Sequence, residues 1–210
     1  MSSSLTAAPS DVQGSDARFN TIPSLDGAPP LVTVRHLSKT YRGRPALRDL
    51  SLSLPAGRIV GLMGANGCGK TTLLKILAGV LADYEGQVRI AGHAPGPLSK
   101  ALVSFLPDAD FLATSLTPPR AIAQFSRLFA DFDAAKARRL VDFFALPAER
   151  SIKEMSKGMG EKLRIALMMS RRARVYLLDE PISGVDPAAR EIILDGVLRD
   201  FESDSLMLIS

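Results

Sequence analysis

The chain has 210 residues, 46% of them hydrophobic, which suffices for one domain of ordinary size with a buried core. Its single cysteine excludes a disulfide framework, and no apolar run reaches the roughly 18 residues that a membrane-spanning helix requires. The N-terminus lacks a signal-peptide pattern, and the net charge of +4 is too small to indicate a nucleic-acid partner. We therefore expect a cytoplasmic protein without bound nucleic acid.

The N-terminal part of the chain divides into a leader and a pair of strands. Residues 1–30 are rich in Ser, Ala, Pro and Gly, so we expect a disordered leader and a folded domain over 31–210. Residues 31–37 and 46–54 alternate apolar and polar side chains, which predicts two antiparallel strands joined by a turn over 39–45. Tyr41 lies in that turn, where its ring is suited to stack on a purine or to remain a surface side chain.

A phosphate-binding pattern follows the next strand. Residues 64–71, called the phosphate loop below, match G-x-x-x-x-G-K-[ST] between a short apolar segment and an amphipathic one. Glycines let several backbone N–H groups face one anion, Lys70 reaches the β- and γ-phosphates, and the Thr71 hydroxyl suits Mg²⁺. The predicted nucleotide contacts here are Gly64, Ala65, Asn66, Gly67, Cys68, Gly69, Lys70, Thr71 and Thr72.

The middle of the chain is predicted to be mainly helical. A strand over 101–106 precedes Asp108, and a helical subdomain is expected over about 108–172. It contains two helices within 117–154 and a long helix from Glu161 to about Arg172, whose basic end suits a helix dipole. Its aromatic stripe, which includes Phe125, Phe129 and Phe132, fits either a packed core or a partner-binding face.

Two carboxylates end the next strand. Residues 175–178 are apolar throughout, as in parallel strands covered on both faces, and Asp179 and Glu180 follow directly. Asp179 is suited to hold Mg²⁺ and Glu180 to orient the attacking water, which makes Glu180 the candidate catalytic residue. A helix over 188–201 with Ile192, Ile193, Val197 and Leu198 inward and a strand over 205–210 complete the chain. The pattern predicts an α/β P-loop NTPase with a mainly parallel core sheet, a small antiparallel region and a helical subdomain.

Residues 31–210 resemble the nucleotide-binding domain of ATP-binding cassette (ABC) transporters. The specific feature is Met155-Ser156-Lys157-Gly158-Met159, called the signature segment below, which lies shortly before Leu177-Leu178-Asp179-Glu180-Pro181. The resemblance implies an ATPase subunit, with ATP and Mg²⁺ as cofactors, on the cytoplasmic face of a membrane. Two such domains, identical or different, would pair and act on a separate integral membrane subunit. Tyr41 would stack on adenine, and Ser156 and Gly158 would contact the γ-phosphate across the interface.

The chain also departs from the family pattern. Lys157 and Met159 replace a Gly and a Gln of the usual signature, as in a bacterial subgroup that partners separate membrane subunits. Asp108 stands where the family has a glutamine and is the third candidate Mg²⁺ contact, after Thr71 and Asp179. The family's switch histidine follows the last strand, so we expect the C-terminal part of the domain to lie beyond Ser210.

Two other functions are compatible with the same residues. The first is a soluble ABC-type ATPase that acts on ribosomes or DNA, and the second is a truncated nucleotide-binding regulatory protein with little hydrolysis. ATP turnover and co-purification with an integral membrane protein would separate these alternatives from a transporter subunit.

Overall fold

The computed structural model describes residues 29–210, so the predicted disordered leader lies almost wholly outside the described residues. The described strands are β1 Val32–Tyr41, β2 Arg44–Leu54, β3 Arg58–Gly61, β4 Glu85–Ile90, β5 Val103–Leu106, β6 Val175–Leu178 and β7 Leu206–Ile209. The described helices are α1 Lys70–Leu77, α2 Pro97–Ala101, α3 Pro118–Leu128, α4 Ala134–Phe143, α5 Lys157–Met169 and α6 Pro187–Arg199. Within residues 29–210, no helix combines the length and apolar character that crossing a bilayer demands.

The described chain divides into two compact units. The first comprises the described residues up to Phe105 together with Arg174–Asp179 and Ser203–Ser210. The second comprises Leu106–Ala173 and Glu180–Glu202. It therefore contains the region predicted as a helical subdomain and, in addition, helix α6.

The first unit contains an antiparallel sheet in the order β2-β1-β4. The predicted antiparallel pairing of the first two strands is confirmed, because Val32 lies opposite Leu54. The predicted turn over 39–45 is too long. Pairing continues to Tyr41 and Arg44, which leaves only two residues to reverse the chain, and Tyr41 therefore lies on a strand.

The second sheet of this unit has the order β3-β7-β6-β5, and β7 runs parallel to both of its neighbours. All four residues of β6 are buried, as expected for a parallel strand covered on both faces. Helix α1 contributes four buried side chains to a core that also contains residues of both sheets. The predicted fold class, a mainly parallel core sheet with a small antiparallel region and a helical part, is confirmed.

The topology of the parallel sheet determines where the functional residues lie. Because β3, β6 and β7 are parallel, their carboxyl ends meet at one edge of the sheet. The phosphate loop follows β3, Asp179 follows β6 and Ser210 follows β7. The fold therefore brings these three chain segments to the same edge.

The second unit consists mainly of α3, α4, α5 and α6. Phe125 is 4% exposed, and its ring lies 5.4 to 6.2 Å from those of Phe111, Phe129 and Phe132. The aromatic stripe thus packs around Phe125 as part of this unit's core.

Three expectations about the helices of this unit are wrong. Helix α5 begins at Lys157, four residues before the predicted Glu161, because the Ser156 hydroxyl accepts a hydrogen bond from the Met159 N–H and caps it. The helix ends at Met169, and the buried Arg171 beyond it pairs with Asp131 instead of completing the helix.

The predicted inward face of α6 is also partly wrong. Ile193 and Val197 are buried, but Ile192 is 39% exposed and Leu198 is 59% exposed. The buried residues Ala189, Ile193, Gly196 and Val197 follow the three- and four-residue spacing of one helix face, which Ile192 and Leu198 do not share.

Helix α4 gives a stability prediction, because its cap is a single carboxylate. The Asp133 side chain accepts a 2.8 Å hydrogen bond from the Lys136 N–H, and this bond holds the pKa of Asp133 below its usual value. Replacing Asp133 by Ala should lower the free energy of unfolding at pH 7 by about 1 kcal/mol, whereas Asn should preserve most of it. Because the folded-state pKa is lowered, the carboxylate's contribution is present above the unfolded value near 3.8 and is lost as pH falls through the folded value.

Urea denaturation of the three proteins at pH 7 and at pH 3 measures this effect. The difference between the unmodified protein and the Ala variant should be smaller at pH 3. Equal stabilities of these two proteins at pH 7 would contradict the assignment of Asp133 as the cap.

Candidate functional site

The phosphate loop connects β3 to α1 and exposes its backbone. Residues 64–67 are exposed, and α1 begins after Gly69, which offers no side-chain cap to the first N–H groups of the helix. Gly69 has φ +99°, and a Cβ added to it would come within 2.3 Å of the Ala46 carbonyl oxygen. Only glycine fits this position. The uncapped helix start, with Thr72 in its first turn, leaves N–H groups and a positive dipole end available to an anion.

Lys70 places a cation at this loop. Its ammonium donates hydrogen bonds to the carbonyl oxygens of Gly64 at 2.9 Å and Ala65 at 3.2 Å, and its Nζ lies 4.0 Å from the Cys68 sulfur. The side chain thus folds back across the loop instead of extending into solvent. A phosphate held by the backbone N–H groups would therefore meet the ammonium at the same place.

The carboxylate of Asp179 has one paired and one unpaired oxygen. The residue is 2% exposed, and its Oδ1 accepts hydrogen bonds from the Thr71 hydroxyl at 3.0 Å and the Ser210 hydroxyl at 2.8 Å. Its Oδ2 is buried and has no hydrogen-bond partner among residues 29–210. An unpaired buried carboxylate oxygen is costly, so this atom is suited to receive a donor or a cation. Beside the Thr71 hydroxyl, it offers the oxygen ligands that Mg²⁺ prefers.

Glu180 follows Asp179 in the chain and differs from it in exposure and backbone conformation. Its side chain is exposed, and its φ of +49° is in the left-handed region that non-glycine residues seldom adopt. The Ser183 N–H donates to the Glu180 carbonyl at 3.1 Å, which closes a turn directly after the residue. A residue held in such a conformation costs about 1 to 3 kcal/mol, and sites of this kind are often functional.

The second unit brings together three of the predicted site residues. Asp108, Ser156 and Glu180 line one cavity of about 460 Å³. Lys157 also lines it, and its ammonium lies against Gly184, whose φ of +66° favours glycine. Gly158 lies on the first turn of α5, and a Cβ added to it would be in van der Waals contact with Val185 and Ala189.

Tyr41 lies in the first unit at the end of β1, opposite Arg44. It is 45% exposed, and the Lys39 ammonium lies 4.9 Å from the centre of its ring. Lys39 is itself buried and pairs with Asp83 at 2.7 Å. The exposed ring has area for a planar ligand, and its stacking on adenine stays a prediction.

Two features of these sites were missed by the sequence reasoning. Ser210 was treated as the last residue of a strand, yet its hydroxyl contacts Asp179. Ser210 directly follows β7 just as Asp179 directly follows β6. Because the two strands are parallel neighbours, these two residues lie at the same edge of the sheet, which the sequence could have indicated. The second feature is an ion cluster of Glu161, Arg164 and Asp110 on the cavity of the second unit. The spacing of Glu161 and Arg164 on one helix face was visible, but their burial was not.

Comparisons with known proteins agree with these features. A family model described as ABC transporter matches residues 47–183. The chain is 28% identical over 183 residues to the ABC transporter ATP-binding protein YtrB of Bacillus subtilis, covering 86% of this chain and 63% of that protein. It is 35% identical over 169 residues to the aliphatic sulfonates import ATP-binding protein SsuB 1 of Xanthomonas axonopodis pv. citri, covering 77% of this chain and 66% of that protein.

A solved structure shows the same fold. A putative ABC transporter ATP-binding protein from Pyrococcus furiosus superposes with a TM-score of 0.74 at 22% identity, covering 85% of this chain and 90% of that one. The chain thus spans a little under two thirds of the length of the curated relatives described above. With the family match over residues 47–183, the chain belongs to the ABC transporter family and carries its nucleotide-binding domain.

Proposed function

We propose that this chain is the ATP-binding and ATP-hydrolysing subunit of a transporter whose membrane-spanning part is a separate protein. The observation that carries the proposal is the buried Asp179, which is bonded to Thr71 of the phosphate loop and keeps one oxygen unpaired. A purely structural aspartate at a sheet edge would have both oxygens satisfied. This arrangement fits a site completed by a bound metal–nucleotide.

The phosphate loop binds the triphosphate part of ATP in this proposal. Backbone N–H groups of residues 64–71 and the N-terminus of α1 meet the phosphate oxygens. Lys70 adds a charge-assisted hydrogen bond to the β- and γ-phosphates. Tyr41 stacks on the adenine.

Thr71 and Asp179 hold the Mg²⁺ of the metal–nucleotide, with Asp108 as the third candidate. Within residues 29–210, no three His, Cys, Asp or Glu side chains form a group able to hold a metal ion. Mg²⁺ commonly uses one or two carboxylates and takes its other ligands from phosphate oxygens and water. The bound ion supplies neutralisation of the charge that develops on the phosphate oxygens.

Glu180 is the general base of the proposal. Its exposed carboxylate accepts a proton from the attacking water as the new oxygen–phosphorus bond forms and the bond to the leaving ADP oxygen breaks. The strained backbone at Glu180 supports this role, since residues held in such conformations are often found at functional sites.

Two nucleotide-binding domains, identical or different, pair across the signature segment in this account. Ser156 and Gly158 at the start of α5 contact the γ-phosphate held by the partner domain. ATP binding and release then close and open the pair and move the membrane subunit, which places the chain at the cytoplasmic face of the membrane. The names of the relatives, an importer's ATP-binding protein among them, support the part of this proposal that makes the chain a transporter's ATP-binding subunit.

Affinity purification of the tagged chain from detergent-solubilised native membranes tests the proposal, with untagged cells as the control. We expect an integral membrane protein in stoichiometric amount and Mg²⁺-dependent ATP hydrolysis by the complex. Recovery only with ribosomes or DNA would contradict the transporter assignment and favour a soluble ATPase. Recovery of a chain that binds ATP without hydrolysing it would favour a regulatory protein.

A further inference from the structure

Arg164 is a largely buried cation that the proposed function leaves without a role. Its side chain is 12% exposed, and it lies on α5 about one and a half turns after the signature segment. It lines the cavity that Asp108, Ser156 and Glu180 also line. A guanidinium held at this depth is costly unless carboxylates pair with it.

Two carboxylates of different exposure flank this guanidinium. Glu161 lies three residues earlier on the same helix, is 5% exposed, and accepts a hydrogen bond from Arg164 Nη2. Asp110 is 89% exposed, and its Oδ1 lies 2.9 Å from Arg164 Nη1, which is an ion pair without hydrogen-bond geometry. Arg164 therefore connects a buried carboxylate of the helix to an exposed carboxylate of the segment 107–112.

The energetics do not favour this cluster as a simple source of stability. Burial raises the pKa of Glu161 above its ordinary value, although the charge of Arg164 acts in the opposite direction. Replacement of a buried ion pair by apolar residues of similar volume is often neutral or stabilising. What the guanidinium adds is a fixed position: its hydrogen bond to Glu161 holds the charge in place, and the charge in turn attracts Asp110.

The segment that Arg164 contacts is positioned by side chains, through the pair of Asp110 with Arg164 and the packing of Phe111 on Phe125. Residues 107–112 contain no helix or strand, and they carry Asp108 two positions before Asp110. A contact that fixes Asp110 therefore restricts the backbone that carries Asp108. Lys157 of the same helix also lines the cavity and lies against Gly184.

We propose that Arg164 is a positioning residue for ATP hydrolysis, which holds the segment 107–112 through Asp110 so that Asp108 faces the cavity shared with Ser156 and Glu180. The inference rests on the proposed function, because it assigns Arg164 to the same reaction. It adds an ion cluster, with Asp110 as its exposed member, that connects the helix of the signature segment to the segment bearing Asp108.

The exposed partner provides the cleanest test. Replacing Asp110 by Asn should lower kcat for ATP hydrolysis about fivefold to tenfold, since small misplacements of a reacting group have effects of this size or larger. KM for ATP should stay within about twofold and the melting temperature within a few degrees, because Asp110 is itself 89% exposed and Arg164 keeps Glu161 as its buried partner. Glu149→Gln, which changes an exposed carboxylate of the same unit, serves as the matched control and should leave kcat unchanged.

A second set of variants distinguishes positioning from folding. Arg164→Met would leave Glu161 buried without its partner, so the double variant Arg164→Met/Glu161→Gln removes both charges together. This double variant should lower kcat as much as Asp110→Asn does. Adding Asp110→Asn to it should cause no further loss, because the contact is already absent. Arg164→Lys, which keeps the charge, should recover part of kcat.

The outcomes separate this inference from the proposed function. An unmodified protein that does not hydrolyse ATP would overturn the proposed function itself. An active unmodified protein with unchanged kcat in Asp110→Asn would overturn only the role of Arg164. Fully additive losses in the triple variant would also overturn it, since they would show that Asp110 acts independently of Arg164.

Discussion

Replacing Glu180 by Gln is expected to lower kcat for ATP hydrolysis about 100- to 10,000-fold, the usual contribution of a general base. Gln has nearly the same shape as Glu but cannot accept the proton of the attacking water. The side chain is exposed, so its replacement should leave the fold intact. Affinity for ATP should remain within about threefold, because the phosphate loop and Lys70 supply the binding contacts.

Phosphate release measures kcat for hydrolysis, and equilibrium binding of ATP measures the affinity separately. ATP that is bound but not cleaved should also favour the paired form of the domain, which the molecular mass in solution reports. Glu191→Gln on α6 is the matched control, since Glu191 is an exposed carboxylate of the same unit. A Glu180→Gln protein with kcat within about tenfold of the unmodified value would contradict the role of Glu180 as general base.

Replacing Lys70 by Ala is expected to weaken ATP binding about tenfold to 100-fold, as the loss of a charge-assisted hydrogen bond predicts. Two effects combine in this variant. The ammonium no longer meets the phosphates, and the carbonyl oxygens of Gly64 and Ala65 lose their donor, so the loop loses a contact that shapes it.

Titration calorimetry with ATP gives the affinity, and thermal melting without nucleotide shows whether the fold persists. Lys75→Ala, in the last turn of the same helix, is the control for loss of one positive charge from α1. Equal affinities of the Lys70 and Lys75 variants would show that Lys70 acts only through net charge and would exclude a direct contact.

Much of this site could be predicted from sequence because its chemistry is local. The whole phosphate-binding pattern, including Gly69, Lys70 and Thr71, lies within the eight consecutive residues 64–71. The four apolar residues before Asp179 indicated a buried parallel strand, and the structure places Asp179 at its carboxyl end.

The rest depends on contacts between distant residues. The bond from Ser210 to Asp179 requires that β7 lie beside β6, which no local pattern specifies. The pairing of Arg171 with Asp131 likewise joins residues 40 positions apart, so the sequence alone predicts a helix to about Arg172, whereas α5 ends at Met169.

Periodicity also leaves burial partly undetermined. Arg164 and Glu161 occur at helical spacing in any reading of the sequence, but only tertiary packing buries them beside the segment 107–112. In α6, apolar side chains surround most of the helix, so periodicity alone did not separate the buried Ile193 from the exposed Ile192.

The most direct test is release of phosphate from ATP by the purified chain as the concentration of Mg²⁺ is varied, with ATP below the Kd of the unmodified protein and Lys70→Ala as the baseline. Hydrolysis should rise with Mg²⁺ and saturate, lie well above that baseline, and fall at least about 100-fold in Glu180→Gln. Phosphate release that equals the Lys70→Ala baseline at every concentration of Mg²⁺ would contradict the proposal that Asp179 and Glu180 complete a catalytic site.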